Sequence, residues 1–383
     1  MYFYHIMIPE KEQVRAGFYV HVPFCIRKCD YCDFYSVAGE AGLFDAYVEA
    51  LEKEADEALM AFGPLTAATL YFGGGTPSVL HPGQMERLFG VIASRFPLSQ
   101  GCEITLEANP CSTDPAKARA WKALGVNRVS LGVQSFHDGD LKFLNRPHTG
   151  HEALRAITLL QDEGILNING DLIFGIPGQA LGSFTENLET LAGLKIPHLS
   201  VYGLSIEENT PLFRRLKRGD FKKVGDGAYG FFFLAAHSCL EGKGFRHYEI
   251  SNYAKAGMVS RHNLDCWQGR DYLGFGPSAH SRFNLRRYAN RPDIRHYIRS
   301  PLSRAFDLTL SREEARLERL MLGLRCDSGV EKAGFSRTAR IETLLCRGLL
   351  VEEHDRVRLT EKGMLLLDEI VLFLEGDKCL TLK

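Results

Sequence analysis

The sequence is limited first by what it lacks. No stretch approaches the roughly 20 apolar residues that span a bilayer; the longest apolar runs, Ala228–Ala236 and Met364–Leu374, are interrupted by Tyr229 and Gly230 and by Asp368 and Glu369. Neither sign of charge dominates. With 46 basic and 47 acidic residues the net charge is −1, which excludes a globally basic nucleic-acid binder and a highly charged disordered chain. There is no internal repeat, no low-complexity segment, no Gly-x-Gly-x-x-Gly opening a helix and no second Cys-x2-Cys pair. The opening residues, MYFYHIMIPEKEQVRAG, lack the basic start and apolar core of a secretory signal, so a cytoplasmic, reducing location is expected.

What is present is ordinary except in one respect. The 383 residues are 45% hydrophobic and 24% charged, as in a soluble protein larger than one typical domain. Such a chain buries enough core to need no disulfide or structural metal. Ten cysteines are the exception, and three of them, Cys25, Cys29 and Cys32, fall within eight residues. In a reducing compartment a cluster of this kind points to metal rather than to disulfides. The scattered thiols Cys102, Cys111, Cys239, Cys326, Cys346 and Cys379 read as small buried hydrophobes.

Up to residue 205 short apolar runs alternate with amphipathic stretches. Runs at Phe18–Val22, Thr69–Phe72, Ile104–Ala108, Arg128–Val133, Ile168–Phe174 and His198–Leu204 read as strands. Three- and four-residue apolar spacing predicts helices at Leu43–Leu59, Gly83–Phe96, Pro115–Leu124, Gly150–Glu163 and Gly182–Leu194. Six strand–helix units imply an α/β fold with a parallel sheet, short of the eight that close a TIM barrel: a partial (β/α)6 barrel. Residues 206–300 form an extension in which Arg261–Ser281 reads as an irregular, structured loop. From 301 to 383, helices at Arg312–Arg325 and Arg337–Arg347, a hairpin of Leu349–Glu352 with Arg356–Leu359, and a helix at Gly363–Phe373 suggest a winged-helix-like α+β domain. Its 14 basic and 15 acidic residues argue against nucleic acid as its partner.

In parallel α/β sheets chemistry collects at the C-terminal ends of strands. Cys25, the turn Gly73-Gly74-Gly75-Thr76-Pro77, Glu107, Gln134 and Asp171 all fall there. Three thiolates on one loop suit an iron–sulfur cluster with one iron left without a protein ligand; a zinc knuckle with His21 as a further ligand is the alternative. Glycines after a strand let a ligand approach the backbone closely, or simply make a tight turn.

The segment FYVHVPFCIRKCDYCDFYS resembles the signature of the radical S-adenosylmethionine (SAM) superfamily, Cys-x3-Cys-x-aromatic-Cys, with Tyr31 as the aromatic residue. The resemblance implies a four-iron, four-sulfur (4Fe-4S) cluster on Cys25, Cys29 and Cys32, SAM on the open iron, and reductive cleavage of SAM to methionine and a 5′-deoxyadenosyl radical. The phrases YVHVPFC, FGGGTPS, LEANP, LGVQSF, LNRPHT and DLIFGIPGQ further resemble the HemN/HemW group, named for oxygen-independent coproporphyrinogen III oxidase. By motif position that resemblance implies SAM contacts from Tyr19, Tyr31, Gly74, Gly75, Thr76 and Glu107, and contacts to a second SAM from Gln134, Arg146 and Asp171.

Two features divide the group. The oxidase carries a further cysteine two positions after the third, whereas this chain reads Cys32-Asp33-Phe34, as in the HemW branch of haem chaperones. The segment His262-Asn263-Leu264-Asp265-Cys266-Trp267 is similar to that branch's His-Asn-x-x-Tyr-Trp haem motif, with Cys266 in place of Tyr. The resemblance therefore implies haem contacts from His262, Cys266 and Trp267, transfer of haem to acceptor haemoproteins, and an electron donor such as flavodoxin or ferredoxin. Peripheral membrane association stays open, as do coproporphyrinogen oxidation and radical SAM chemistry on another substrate.

Overall fold

The computed structural model describes residues 14–335 and 338–375. Residues 1–13, 336–337 and 376–383 lie outside them, among them Cys379, read above as a core thiol, and Arg337, the expected start of a helix. The chain begins with β1 (Arg15–Val22), then the two-residue strands β2 (Phe24–Cys25) and β3 (Val37–Ala38). Next come α1 (Phe44–Phe62), β4 (Thr66–Gly74), α2 (Pro82–Ala93), β5 (Leu98–Ala108), α3 (Pro115–Ala123) and β6 (Arg128–Gln134). The short α4 (Asp138–Phe143), α5 (Gly150–Asp162), β7 (Ile168–Phe174), α6 (Leu181–Gly193) and β8 (His198–Gly203) complete the repeating part. Strands β1, β4, β5, β6, β7 and β8 pair in that order, all parallel, which is the expected partial (β/α)6 barrel.

Local chemistry sets these boundaries. Asp114 caps α3 with Pro115 at its first turn, and Thr149 with Glu152 forms a capping box at α5. In α5, Ala153, Ala156, Ile157 and Leu160 make the buried stripe. The strands are buried on both faces, as parallel strands between helices must be.

After α7 (Pro211–Lys217) and α8 (Asp226–Gly242) the chain widens the same sheet on both sides. On one edge, β10 (Asn252–Ala254) pairs antiparallel with β8, and β9 (Arg246–Glu249) antiparallel with β10. On the other, β11 (Tyr272–Phe275) runs parallel to β1 and is followed by antiparallel β12 (His280–Phe283), β13 (Arg286–Asn290) and β14 (Arg304–Thr309). The sheet has 12 strands. The reading of Arg261–Ser281 as an irregular loop is therefore corrected: it holds α9 (Arg261–Trp267), β11 and the start of β12. Four-residue strands and a seven-residue helix are too short to print a period on the sequence.

One buried carboxylate ties this extension to the barrel. Glu54 of α1, 2% exposed, accepts from Gly276 N (2.9 Å), Asn290 Nδ2 (2.8 Å), Tyr297 Oη (2.7 Å) and Arg304 Nη1 (2.8 Å). Tyr297 belongs to α10 (Ile294–Arg299). Removing one side of such a network leaves the rest buried and unpaired, so Glu54→Ala is expected to cost about 3–5 kcal/mol. Chemical denaturation checks this; a loss under about 1 kcal/mol would contradict it.

The C-terminal part comprises α11 (Arg312–Leu324), β15 (Val330–Glu331), α12 (Thr338–Cys346), β16 (Leu350–Glu353), β17 (Arg356–Leu359), α13 (Glu361–Met364) and α14 (Leu367–Glu375). Its strands form a separate antiparallel sheet in the order β15–β17–β16. The single helix expected at Gly363–Phe373 is two, parted at Leu365 and Leu366. Two cysteines expected in the core, Cys111 and Cys346, are exposed, whereas Cys102 and Cys326 are buried. Among the described residues no helix is long and apolar enough to cross a membrane.

Candidate functional site

A cavity of about 430 Å³ opens at the C-terminal ends of the parallel strands. The pairing of β2 with β3 closes the intervening chain into a loop across its mouth, with Cys25 at the end of β2. Within the loop Cys32 N donates to Cys29 O (3.3 Å), and Tyr31, Cys32, Asp33 and Phe34 line the cavity. Burial raises the Cys25 thiol and pushes Cys32 up to about 11, and neighbouring Cys29 adds to both. Both are thiols at neutral pH, so binding iron must displace their protons. No three His, Cys, Asp or Glu side chains among the described residues are grouped tightly enough to hold one metal ion. Thiols that each serve a different iron of one cluster need no such convergence.

Beside the start of this loop lies the turn after β4. Gly75 N donates to Val22 O and Thr76 N to Phe24 O, both at 2.8 Å, which stitches the turn to the start of the cysteine loop. Gly74 takes φ +104°, open in practice only to glycine, and a Cβ there would fall 2.5 Å from the His21 ring. This geometry presents Thr76 Oγ1 to Cys25 Sγ at 3.4 Å. The backbone lines the cavity at Gly74 and Gly75 with no side chain intervening.

Two buried carboxylates face the interior. Glu107 accepts from Tyr71 Oη (2.8 Å) and Gly74 N (3.1 Å); burial, with Asp171 nearby, pushes its pKa up to about 7 against these hydrogen bonds. Asp171 accepts from Asn169 Nδ2 (2.7 Å) and Ser130 Oγ (3.3 Å), and burial pushes it up to about 6. Both carboxyls line the cavity, where either can meet a hydrogen-bond donor. A carboxyl whose pKa is higher folded than unfolded binds its proton more tightly in the native state, so its contribution to stability falls as pH rises between the two values. Glu107→Gln is therefore expected to gain stability relative to the parent between about pH 4.5 and 7. Thermal melts of the two proteins across that range check this; parallel curves would contradict it.

Arg146 links the cysteine loop to β6. Its Nη1 lies 3.3 Å from Cys29 Sγ, its Nη2 donates to Gly132 O at 2.8 Å, and its Nε is buried without a partner. Burial works against its charge, yet Tyr31 and Cys29 hold its pKa above the usual arginine value. Gln134 closes β6 with φ +67°, a conformation rare outside glycine and common at ligand sites. The cavity thus gathers Tyr31, Gly74, Gly75, Thr76, Glu107, Gln134, Arg146 and Asp171 around Cys32.

Tyr19 is not among the lining residues. Its hydroxyl bonds His21 Nδ1 (3.1 Å), and its ring packs near those of Tyr71 and His262, one layer beneath. The segment 262–267 is helix rather than loop, and of it only Asn263 lines the cavity. Glu103 of β5 accepts from the backbone N–H of Arg261 (2.9 Å) and His262 (3.0 Å), while Thr69 Oγ1 lies 2.8 Å from His262 Nδ1. Burial lowers the His262 pKa to about 4. Cys266 is pushed up to about 12 by burial, and Trp267 packs under the guanidinium of Arg325, 4.4 Å from its ring centre.

Sequence reasoning missed Tyr71, Arg128, Ser130, Asn169, Ser200 and Tyr202, which also line the cavity. Arg128 is 1% exposed with its Nε unpartnered, and its charge is felt by both Glu107 and Asp171. The available signal was the two-residue strand period: 128, 130, 132 and 134 share one face of β6, as 169, 171 and 173 do of β7.

Comparison with known proteins agrees with this architecture. Residues 19–191 match the family model described as the radical SAM superfamily, and residues 310–366 the HemN C-terminal domain. The chain is 33% identical to heme chaperone HemW of Lactococcus lactis (90% of this chain, 93% of that one) and 35% identical to heme chaperone HemW of Escherichia coli (93% and 97%). It is 32% identical to the mouse mitochondrial radical S-adenosyl methionine domain-containing protein 1, over 96% of this chain and 88% of that one. Among solved structures, coproporphyrinogen III oxidase (HemN) from Escherichia coli shares the fold with a TM-score of 0.83 at 21% identity, covering 95% of this chain and 91% of the other. Relatives at 33–35% identity over 90–93% of this chain, together with the two matching family models, show that the chain belongs to the HemN/HemW family of the radical SAM superfamily.

Proposed function

We propose that this protein is a haem chaperone: it binds haem and passes it to acceptor haemoproteins, with a four-iron cluster and SAM at the cavity described above. The observation that carries the choice over coproporphyrinogen oxidation is at the cavity mouth. Where the oxidase pattern calls for a further thiol, this chain presents Phe34, 66% exposed, with Asp33 beside it. The HemW-named relatives at 33–35% identity over nearly the whole chain support the same reading.

The residues fit the cofactors in kind. Cys25, Cys29 and Cys32 would hold three irons and leave the fourth for SAM. A cluster held there would supply the single electron needed for reductive cleavage of SAM. Arg146 donates to Cys29 and offsets the negative charge that three thiolates bring together. Glu107, fixed by Tyr71 and the Gly74 amide, accepts hydrogen bonds from an ammonium or ribose hydroxyl. Asp171, Gln134 and Arg146 offer a second polar group of contacts, suited to a second SAM. Tyr19 supports the layer beneath. For haem, His262 would be the imidazole donor: Thr69 holds its Nδ1, so Nε2 would be the nitrogen to meet iron, although the ring lies buried and only its neighbour Asn263 lines the cavity. Cys266 and Trp267 belong to the same helix but do not line the cavity, and Trp267 packs against Arg325.

Anaerobic reconstitution of the cluster followed by two parallel assays tests the function. With haem added, a stable protein-bound Soret band that passes to an apo-haemoprotein is expected. With coproporphyrinogen and SAM, no protoporphyrinogen should form; formation at steady turnover would overturn the proposal. A His262→Ala variant that bound haem as tightly as the parent would remove that ligand.

A further inference from the structure

The cavity holds one cation that no side chain answers. Arg128 opens β6, and residues 128, 130, 132 and 134 line the cavity along one row, so Arg128 is the deepest of them, about 20 Å of strand from Gln134. It is 1% exposed. Among the described residues its guanidinium has no hydrogen bond and no ion pair, and its Nε is buried without a partner. Its register partner on β5 is Thr105, fully buried, whose Oγ1 is likewise unpartnered.

The other charged groups of the cavity are committed. Arg146 is held by Cys29 and Gly132 O. Glu107 and Asp171 feel the charge of Arg128, but neither pairs with it: Glu107 accepts from Tyr71 and Gly74, and Asp171 from Asn169 and Ser130. A buried charge without a partner is strongly unfavourable, and an apolar side chain of similar size would fill the same space at less cost. Such a group makes physical sense where a ligand completes it. The planar fork of a guanidinium matches the two oxygens of a carboxylate, and Thr105 Oγ1 is a further donor at the same level of the barrel. The cysteines stand at the mouth, so a carboxylate on Arg128 belongs to the end of a ligand remote from them.

We propose that Arg128 is a carboxylate anchor at the floor of the cavity, taking the free carboxylate of a ligand held above it. The inference rests on the reading that the cavity receives the ligands named under the proposed function. Two of them carry such a group: a SAM molecule away from the open iron, and haem through its propionates. The shared chemistry is a two-pronged charged hydrogen bond, made in a space that water does not share.

The test compares the reconstituted full chain with Arg128→Met and Arg128→Lys. Without ligand, Arg128→Met should melt no lower than the parent, because an apolar chain replaces an unpaired charge. A fall of about 2 °C or more would mark Arg128 as an internal counter-charge for Glu107 and Asp171 and overturn the proposal. SAM and haem are then titrated separately, by calorimetry and by Soret absorbance. Affinity for one of them is expected to fall about tenfold or more in Arg128→Met, and the ligand affected identifies the carboxylate. Arg128→Lys keeps the charge and loses the fork, so it should recover only part of that affinity. Unchanged affinity for both ligands in Arg128→Met would overturn the proposal. Full recovery by lysine would do the same, since charge alone would then be acting through the two carboxyls. A parent that bound neither SAM nor haem would instead defeat the proposed function, and the ligand-free melting comparison would still decide whether Arg128 is an internal counter-charge.

Discussion

Replacing Cys25, Cys29 or Cys32 singly by alanine is expected to leave roughly a tenth or less of the parent's iron and acid-labile sulfide after anaerobic reconstitution. The effect is expected to be large because these three are the only thiols of the loop. Asp30 is already committed to Asn145 and Arg215, and no second cysteine pair exists to substitute. The fold should survive the change. Cys29 is the most buried of the three at 8% exposed, and losing one sulfur there costs on the order of 1 kcal/mol. Circular dichroism and melting curves separate loss of cluster from loss of structure. Cys102→Ala and Cys326→Ala serve as controls: both thiols are buried away from the cavity, so iron content should not change. A variant lacking one loop cysteine that retained parental iron would refute the ligand assignment.

The second large effect is expected at Gly75. A Cβ there would lie 2.7 Å from Val22 O, 2.8 Å from Phe24 O and 2.9 Å from Pro23 C, all backbone atoms of the segment leading into the cysteine loop. Backbone cannot rotate aside as a side chain can. Gly75→Ala must therefore push the turn away and weaken the hydrogen bonds from Gly75 to Val22 and from Thr76 to Phe24. Overpacking of this kind costs about 1–3 kcal/mol, and each weakened hydrogen bond about 1 kcal/mol more. The melting temperature should fall by about 5 °C or more. SAM affinity should fall more steeply still, because the same shift moves Thr76 and the Gly74 amide that holds Glu107. Isothermal titration of the reconstituted variant with SAM checks this. Unchanged affinity would show that the turn only shapes the chain and does not contact the ligand.

The parts of this molecule legible in the sequence are those specified locally. Each of the six parallel strands is a short buried run, and each intervening helix shows an apolar stripe or a cap such as Asp114-Pro115, so both appear within a few residues of chain. The cysteine loop and the Gly73–Pro77 turn stand out because few other chemistries use such spacing. What was not legible depends on partners far away in sequence. Strand β11 exists because it pairs beside β1 from more than 250 residues downstream, and its four residues carry no period of their own. The helix at Arg261–Trp267 begins where Glu103, 158 residues earlier, accepts its first N–H groups. That capture draws His262 into a buried aromatic layer with Thr69, Tyr19 and Tyr71, a placement no motif spacing discloses. Arg128 was passed over because a charged residue opening a strand reads as an exposed edge, whereas here its side chain reaches the barrel interior.

The central claim is that one cavity holds both a cluster with an open iron and SAM bound to it. Electron paramagnetic resonance of the reconstituted, anaerobically reduced protein, recorded before and after SAM, tests it most directly. A ligand joining the open iron changes that iron's coordination, so the account predicts a four-iron S = 1/2 signal whose g values shift on adding SAM. The shift should weaken in Gly75→Ala. A reduced-cluster signal that SAM leaves unchanged, or a protein that assembles no reducible cluster at all, would contradict it.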